Sequence, residues 1–394
     1  MAPRPLDGVT VVSIEQAVAV PFTTRQLADL GARVIKIERP GVGDFARGYD
    51  QTVKGLSSHF VWLNRSKESL ALDLKRPEAA EVLTRLLDKA DVFVQNLAPG
   101  AAERLGLGVE TLRKARPRLI ICGVSGYGST GPYRDKKAYD LLVQAESGLV
   151  SITGTEKEPV KAAISVADIA AGMYAYTGIL TALLMRERSG EGTAIEVSML
   201  EALGEWMGFP MYFSTYGGSP PPRTGAHHAV IAPYGPFAGA DGEVIYLGLQ
   251  NEREWTTFCR DVLERSELEN DPRFATNFNR VENLSALHGE IQAVFSSLSA
   301  STILDRLENA KIANARLNSV QQFVDHPQLR ARDRWREVDS TAGLIRAAVP
   351  PANIAGVEPR MDPIPDIGEH TDAILRELGY DPDIISIWRR EGIV

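Results

Sequence analysis

The first half of the chain alternates short β-branched, apolar runs with amphipathic stretches, and this alternation limits the fold more than any other feature. Residues 9–14 and 34–37 read as strands, with a helix over residues 22–30 between them. Residues 70–74 and 92–94 read as further short strands, and residues 119–124 as a clear one. Pro77 sits where proline belongs, in a helix's first turn, and Val82, Leu83, Leu86 and Leu87 then lay one apolar stripe along that helix. Strand, helix, strand in repeated order predicts an α/β fold: an open parallel, Rossmann-like sheet with helices on its faces.

Beyond this region the texture changes. Residues 166–185 are long and apolar enough to suggest a membrane span, but they contain Asp168, Tyr174 and Tyr176 and run into Arg186-Glu187-Arg188. A charge inside a bilayer is costly, so a long buried helix is expected. A strand over 194–197 and one helix over 200–212 follow. Residues 217–222, Gly-Gly-Ser-Pro-Pro-Pro, are a strong linker signal. The expected organisation is a large domain over 1–215, completed by a proline-rich segment over 325–394, with a linker and smaller α+β domain over 216–324. That last segment should run back over the large domain.

The 394 residues are 44% hydrophobic and 24% charged, as in a soluble globular protein. A net charge of −8 disfavours nucleic acid as a partner. Cys122 and Cys259 are far apart, which excludes a disulfide scaffold or a cysteine zinc site. No signal peptide is visible, so a cytoplasmic protein away from membranes is expected.

The chemistry-bearing residues allow two readings each. The strand–helix–strand opening mimics a dinucleotide fold, but residues 15–21 contain no glycine, which argues against pyrophosphate binding through that turn. Arg39, Lys75, Arg104, Lys136 and Lys137 recur where strands end. They are either a solvated rim or the holders of a multiply phosphorylated ligand at the carboxyl edge of the sheet. Asp168, at the start of the long helix, is either a cap for free amides or a carboxylate nucleophile, and Asp140 has the same two readings. His227 and His228 are adjacent and would point to opposite faces of a strand, which disfavours a shared metal. No HExxH or Gly-x-Ser-x-Gly occurs, so zinc and hydrolase-triad chemistry have no support, and no metal is expected.

Taken together, several segments resemble the class III coenzyme A transferases of the CaiB/BaiF type, such as formyl-CoA transferase and carnitine CoA-transferase. The resemblance covers most of the chain. It is densest in Leu6-Asp7-Gly8-Val9, Ala28-Asp29-Leu30-Gly31-Ala32, residues 34–40 with Gly43-Asp44, Asn64-Arg65-Ser66-Lys67, residues 96–100 and Lys137-Ala138-Tyr139-Asp140. It implies that Asp168 is the catalytic nucleophile, with CoA contacts at Arg39, Leu72, Lys75, Asn96, Leu97, Arg104, Lys137 and Tyr139. Gln16, Asp140, Gly248 and Gln250 are candidates for the substrate side. It implies CoA as a substrate with no tightly bound cofactor, and an acyl-CoA and a carboxylic acid as the molecules exchanged. An interlocked homodimer is implied too, with the site between the large domain of one chain and the small domain of its partner. Residues 247–252 lack the glycine run of formyl-CoA-type members and resemble relatives acting on C4–C5 dicarboxylates, for which Arg47 and Arg223 are candidate holders of a second carboxylate. The alternatives are a 2-methylacyl-CoA racemase, disfavoured because no histidine occurs between His59 and His227, and a non-catalytic CoA-binding subunit, disfavoured by Asp168.

Overall fold

The β-branched runs form one six-stranded sheet. Its strands are β1 (Thr10–Ile14), β2 (Arg33–Glu38), β3 (Lys67–Ala71), β4 (Val92–Gln95), β5 (Ile120–Ser125) and β6 (Ala194–Ser198), in the spatial order β3-β2-β1-β4-β5-β6. Every neighbouring pair is parallel, as expected when each connection must cross a face of the sheet. The order reverses between β1 and β4, which opens a crevice at the carboxyl ends of those two strands.

The computed structural model describes residues 2–394 as two compact units. Residues 2–147, Ala162–Gly208 and Arg330–Val394 make the first, and Gly148–Lys161 with Phe209–Leu329 make the second. The segment Gly148–Lys161 thus groups with the second unit, although the expected large domain contained it.

In the first unit, Val12, Ile14, Ile35, Ile37 and Phe93 bury against Val82, Leu83, Leu86 and Leu87 of the helix Pro77–Leu87. Each such side chain contributes about 1.5–3 kcal/mol by leaving water. The long helix Val166–Ser189 has the length and apolarity to cross a membrane. Here it packs against the helix Ala19–Asp29, β5 and β6, and buries Ala167, Ala170, Ala171, Ala175 and Ile179. Its Gly172 meets the helix Ala19–Asp29 so closely that a Cβ there would lie 2.6 Å from the Ala19 carbonyl oxygen.

Two elements depart from expectation. β3 begins three residues earlier than residues 70–74, because Lys67 and Ser69 find buried polar partners and so occupy a strand that polarity alone argues against. The single helix expected over 200–212 is two helices, Met199–Trp206 and Gly208–Gly217. Pro210 cannot continue the first helix but is tolerated in the opening turn of the second.

β3 is an edge strand, and its outer side is covered by residues 362–371. Ser66 donates its amide to the carbonyls of Asp362 and Pro363, and His370 donates its amide to the Ser69 carbonyl. Ser69 and Ala71 donate theirs to His370 Nδ1 and Thr371 Oγ1. Ile374, Leu375 and Ile385 of the same segment join the sheet's core.

The second unit is built on an antiparallel sheet of β7 (Tyr234–Ala238), β8 (Val244–Gly248) and β9 (Ala313–Arg316). Its core contains Phe237, Ile245, Trp255, Phe258, Phe274, Ile291 and Phe295.

Candidate active site

At the point where the strand order reverses, Gln16 follows β1 and Asn96 follows β4. They are tied by two reciprocal bonds: the Gln16 amide donates to Asn96 Oδ1 at 3.0 Å, and Asn96 Nδ2 donates to the Gln16 carbonyl at 2.9 Å. The side-chain Oε1 of Gln16 accepts from the Phe45 amide at 3.0 Å. The next residue, Ala17, has φ 62°, a left-handed conformation at a non-glycine residue. Such backbone costs about 1–3 kcal/mol and persists only where its surroundings impose it. Here the imposing group is Asp44, whose Oδ1 accepts from Ala17 at 3.0 Å and from Ala46 at 2.9 Å.

Asp44 is itself fixed from below by buried charges. Lys36 Nζ donates to Asp44 Oδ2 at 2.6 Å and to Asn64 Oδ1 at 3.0 Å. Lys67 Nζ donates to Glu15 Oε1 at 2.7 Å and to the same Asn64 oxygen at 3.0 Å. Glu15 also accepts from Thr24 Oγ1 at 2.7 Å. Lys36, Glu15, Asp44 and Lys67 are all buried, so each charge survives only through its partners. Burial alone would raise the Glu15 carboxyl, but Lys67 and Lys36 hold it below its ordinary range. Burial would likewise raise Glu38, which the Arg47 guanidinium holds down at about 2.

Asp168 is the third residue of the long helix, and its surroundings are the opposite. It is half-buried, and its carboxylate makes no hydrogen bond or ion pair among the described residues. Burial and the Asp140 carboxylate push it up to about 7. Asp140 opens the helix Asp140–Glu146 and caps the long helix: its Oδ1 accepts from Ala167 at 2.8 Å and from Asp168 at 3.4 Å. Of the two aspartates, Asp140 is therefore the one whose side chain caps. Tyr49, which the sequence reading did not single out, lies within electrostatic reach of Asp168, Tyr139 and Asp44; burial and these groups push its hydroxyl up to about 12.

Arg39 and Lys75 come just after β2 and β3, while Arg104 and Lys137 come 9 and 12 residues after β4 and β5 in the chain. All four are exposed and form no ion pair or side-chain hydrogen bond among the described residues. Lys136, by contrast, is paired with Glu146. Tyr139 is 67% exposed.

Other candidates have different duties. Leu72 is buried in the core and its amide donates to the Glu38 carbonyl, so the structure does not open it to a ligand. The Asn96 amide is spent on Gln16, and Leu97 packs partly against the core with its amide on Gln95. Gly248 ends β8 and Gln250 precedes the helix Glu252–Thr257, both in the second unit. Neither candidate arginine is free. Arg47 binds both oxygens of Glu38 and the Pro365 carbonyl, and Arg223 donates to the carbonyls of Thr155, Ser151 and Glu156.

The sequence pattern of CoA-transferase family III matches residues 6–371. The chain belongs to that family. The transferase is 32% identical to human succinyl-CoA:glutarate CoA-transferase over 396 residues, covering 99% of this chain and 90% of that one. It is 35% identical to the acetyl-CoA:oxalate CoA-transferase of Acetobacter aceti, covering 95% and 96%. The crystal structure of a CaiB/BaiF family protein from Brucella suis superposes with a TM-score of 0.84 at 30% identity, over 96% of the transferase and all of that chain. The expected family, and with it CoA transfer as the activity, is thus met.

Proposed function

We propose that the transferase moves CoA between dicarboxylic acids, with Asp168 as its covalent nucleophile. The observation that carries this reading is a half-buried carboxylate without a partner, set on the same unit as four exposed cations that are unpaired among the described residues and follow the strands in the chain. The dicarboxylate class is supported by the activities named for the glutarate and oxalate relatives.

In this mechanism Asp168 attacks the acyl-CoA carbonyl, the carbon–sulfur bond breaks, and CoA thiolate leaves a mixed anhydride behind. The thiolate then attacks the aspartyl carbonyl and expels the donor acid, leaving CoA on Asp168 as a thioester. The acceptor carboxylate reverses both steps. Arg39, Lys75, Arg104 and Lys137 would bind the phosphates of CoA, and Asn96, Leu97 and Tyr139 would line its path. Binding far from the reacting carbon supplies orientation. CoA enters as a substrate, and no step calls for a resident cofactor.

The working form in this reading is a homodimer. Support comes from the exposed apolar side chains of Trp206, Phe209, Met211, Tyr212 and Tyr216, a concentration that soluble monomers avoid. Two buried free thiols, Cys122 and Cys259, suit a reducing cytoplasm.

Intact mass after mixing with succinyl-CoA tests the mechanism. An adduct of CoA mass is expected, removed by borohydride and absent from Asp168→Asn. An equal adduct on that variant would overturn the assignment. Sedimentation at nanomolar concentration should give a dimer, and monomers would exclude it.

A further inference from the structure

A carboxylate in the first turn of a helix ordinarily settles onto the helix's free amides, gaining hydrogen bonds and the favourable end of the dipole. Asp168 is denied both. The Val166 amide donates to the Ile164 carbonyl and the Ile169 amide to the Ser165 carbonyl. The two between them, Ala167 and Asp168, donate to Asp140 Oδ1. All four opening amides are therefore spent before the Asp168 side chain can reach one.

Asp140 is held in that place. Its Oδ2 accepts from Gln144 Nε2 at 2.7 Å, and Gln144 is fully buried. Gln144 Oε1 accepts from the Ala162 amide at 2.9 Å, on the segment that leads into the long helix. The fork of Asp140 and Gln144 thus ties the short helix to the start of the long one.

We propose that Asp140 is a positioning residue that occupies the helix's amides and sets its own negative charge against Asp168, so that the nucleophile is poorly stabilised as a free carboxylate and favoured in its covalent, uncharged states. This rests on the reading of Asp168 as the nucleophile. The charge balance explains the gain. In the first step the negative charge of Asp168 passes to the leaving CoA sulfur, and in the second it leaves with the donor carboxylate. Both the anhydride and the thioester at Asp168 are neutral, so repulsion from Asp140 acts on the resting enzyme and not on either intermediate.

Among the described residues no cation offsets this repulsion. The Tyr49 phenol, beyond β2, lies within electrostatic reach of Asp168. The helix Ala19–Asp29 brings Arg25 and Asp29, which pair with each other at 2.8 Å. β6 brings Glu196, bonded to Ser129, and the helix Met199–Trp206 brings Glu201, bonded to Ser198, and Glu205. β5 carries no carboxylate or cation.

The test uses Asp140→Asn, which keeps the Oδ1 acceptor and removes the charge while losing the bond from Gln144 Nε2, with Asp140→Glu and Asp168→Asn alongside. Adduct formation from succinyl-CoA is followed by intact mass from pH 5 to 9, as a rate and as an equilibrium against added succinate. The wild-type rate should rise along an acid limb. In Asp140→Asn that limb should move down by about one pH unit, and the adduct equilibrium at pH 8 should fall about tenfold, since both report the same stabilisation of the free carboxylate. Asp140→Glu should stay close to wild type. A limb and an equilibrium that do not move, or that move by different factors, would overturn the proposal, because loss of a purely structural cap links neither. If Asp140→Asn does not fold, Asp140→Ser, a shorter uncharged cap, carries the same two expectations. An adduct persisting on Asp168→Asn would instead remove the nucleophile assignment beneath it.

Discussion

Two groups of charges within the first unit are treated in opposite ways. Beneath the turn after β1, Glu15, Lys36, Asp44 and Lys67 are buried and every charge meets an opposite one within 2.6–3.5 Å. At the start of the long helix, Asp168 lies beside the Asp140 carboxylate and has no cation partner among the described residues. The first group uses charge to hold backbone in place, including the left-handed Ala17. The second leaves a charge uncompensated, which is the condition under which a carboxylate gains by becoming an ester or anhydride. Pairing and non-pairing are thus two uses of the same chemistry, and only the second suits a nucleophile.

The contrast breaks most severely if one member of the paired group is removed. Glu15→Gln leaves Lys36 and Lys67 buried with Asp44 as their remaining close carboxylate, and should destabilise by about 3–5 kcal/mol in denaturant unfolding. A loss below about 1 kcal/mol would mean that water reaches the cluster. Asp168→Asn should act in the other direction. Its folded carboxyl titrates near 7 against an ordinary 3.8, so the folded state keeps a proton that the unfolded chain has already lost. Wild-type stability should therefore decline as pH rises from about 4 to 7. The advantage of the asparagine variant at pH 8 should exceed that at pH 4 by about 1–3 kcal/mol in paired melts. An equal advantage at both would place Asp168 in a neutralised setting, like Glu15.

Glu38 sharpens the comparison from the paired side. Arg47 keeps its carboxyl near 2, so its contribution is present above about 4.5 and lost as pH falls toward 2. Arg47→Met should flatten acid unfolding in that window. The smallest effect is expected at Ala17→Gly, where relieved strain and added chain entropy oppose each other. Stability should change by less than about 1 kcal/mol, whereas Ala17→Val, a branched residue in a left-handed position, should lose more.

The sheet was legible because parallel strands buried on both faces are written as β-branched runs, and β1, β2, β4 and β5 lie close to where those runs are. β3 was displaced because Lys67 and Ser69 owe their burial to Glu15, just after β1, and Glu38, at the end of β2, both far away in sequence. Lys36, alone among isoleucines in the middle of a buried strand, was a usable sign that a carboxylate waits nearby. The Asp140 cap had no such sign, since 27 residues separate it from the Ala167 amide it accepts. The readings of Arg47 and Arg223 failed for a related reason. Residue type announces an arginine's charge, while its partners, Glu38 and three main-chain carbonyls, emerge only on folding.

The cover over β3 has a consequence for the order of synthesis. Residues 362–371 leave the ribosome after the whole of Phe209–Leu329, so the second unit can finish folding while the sheet still lacks its outer border. During that interval the amides of Ser66, Ser69 and Ala71 line an open strand edge, the kind of template on which nascent chains pair with one another. The first unit, which holds Asp168, is thus begun first and sealed last, and the time spent on the intervening segment sets how long that edge stays available to a neighbour.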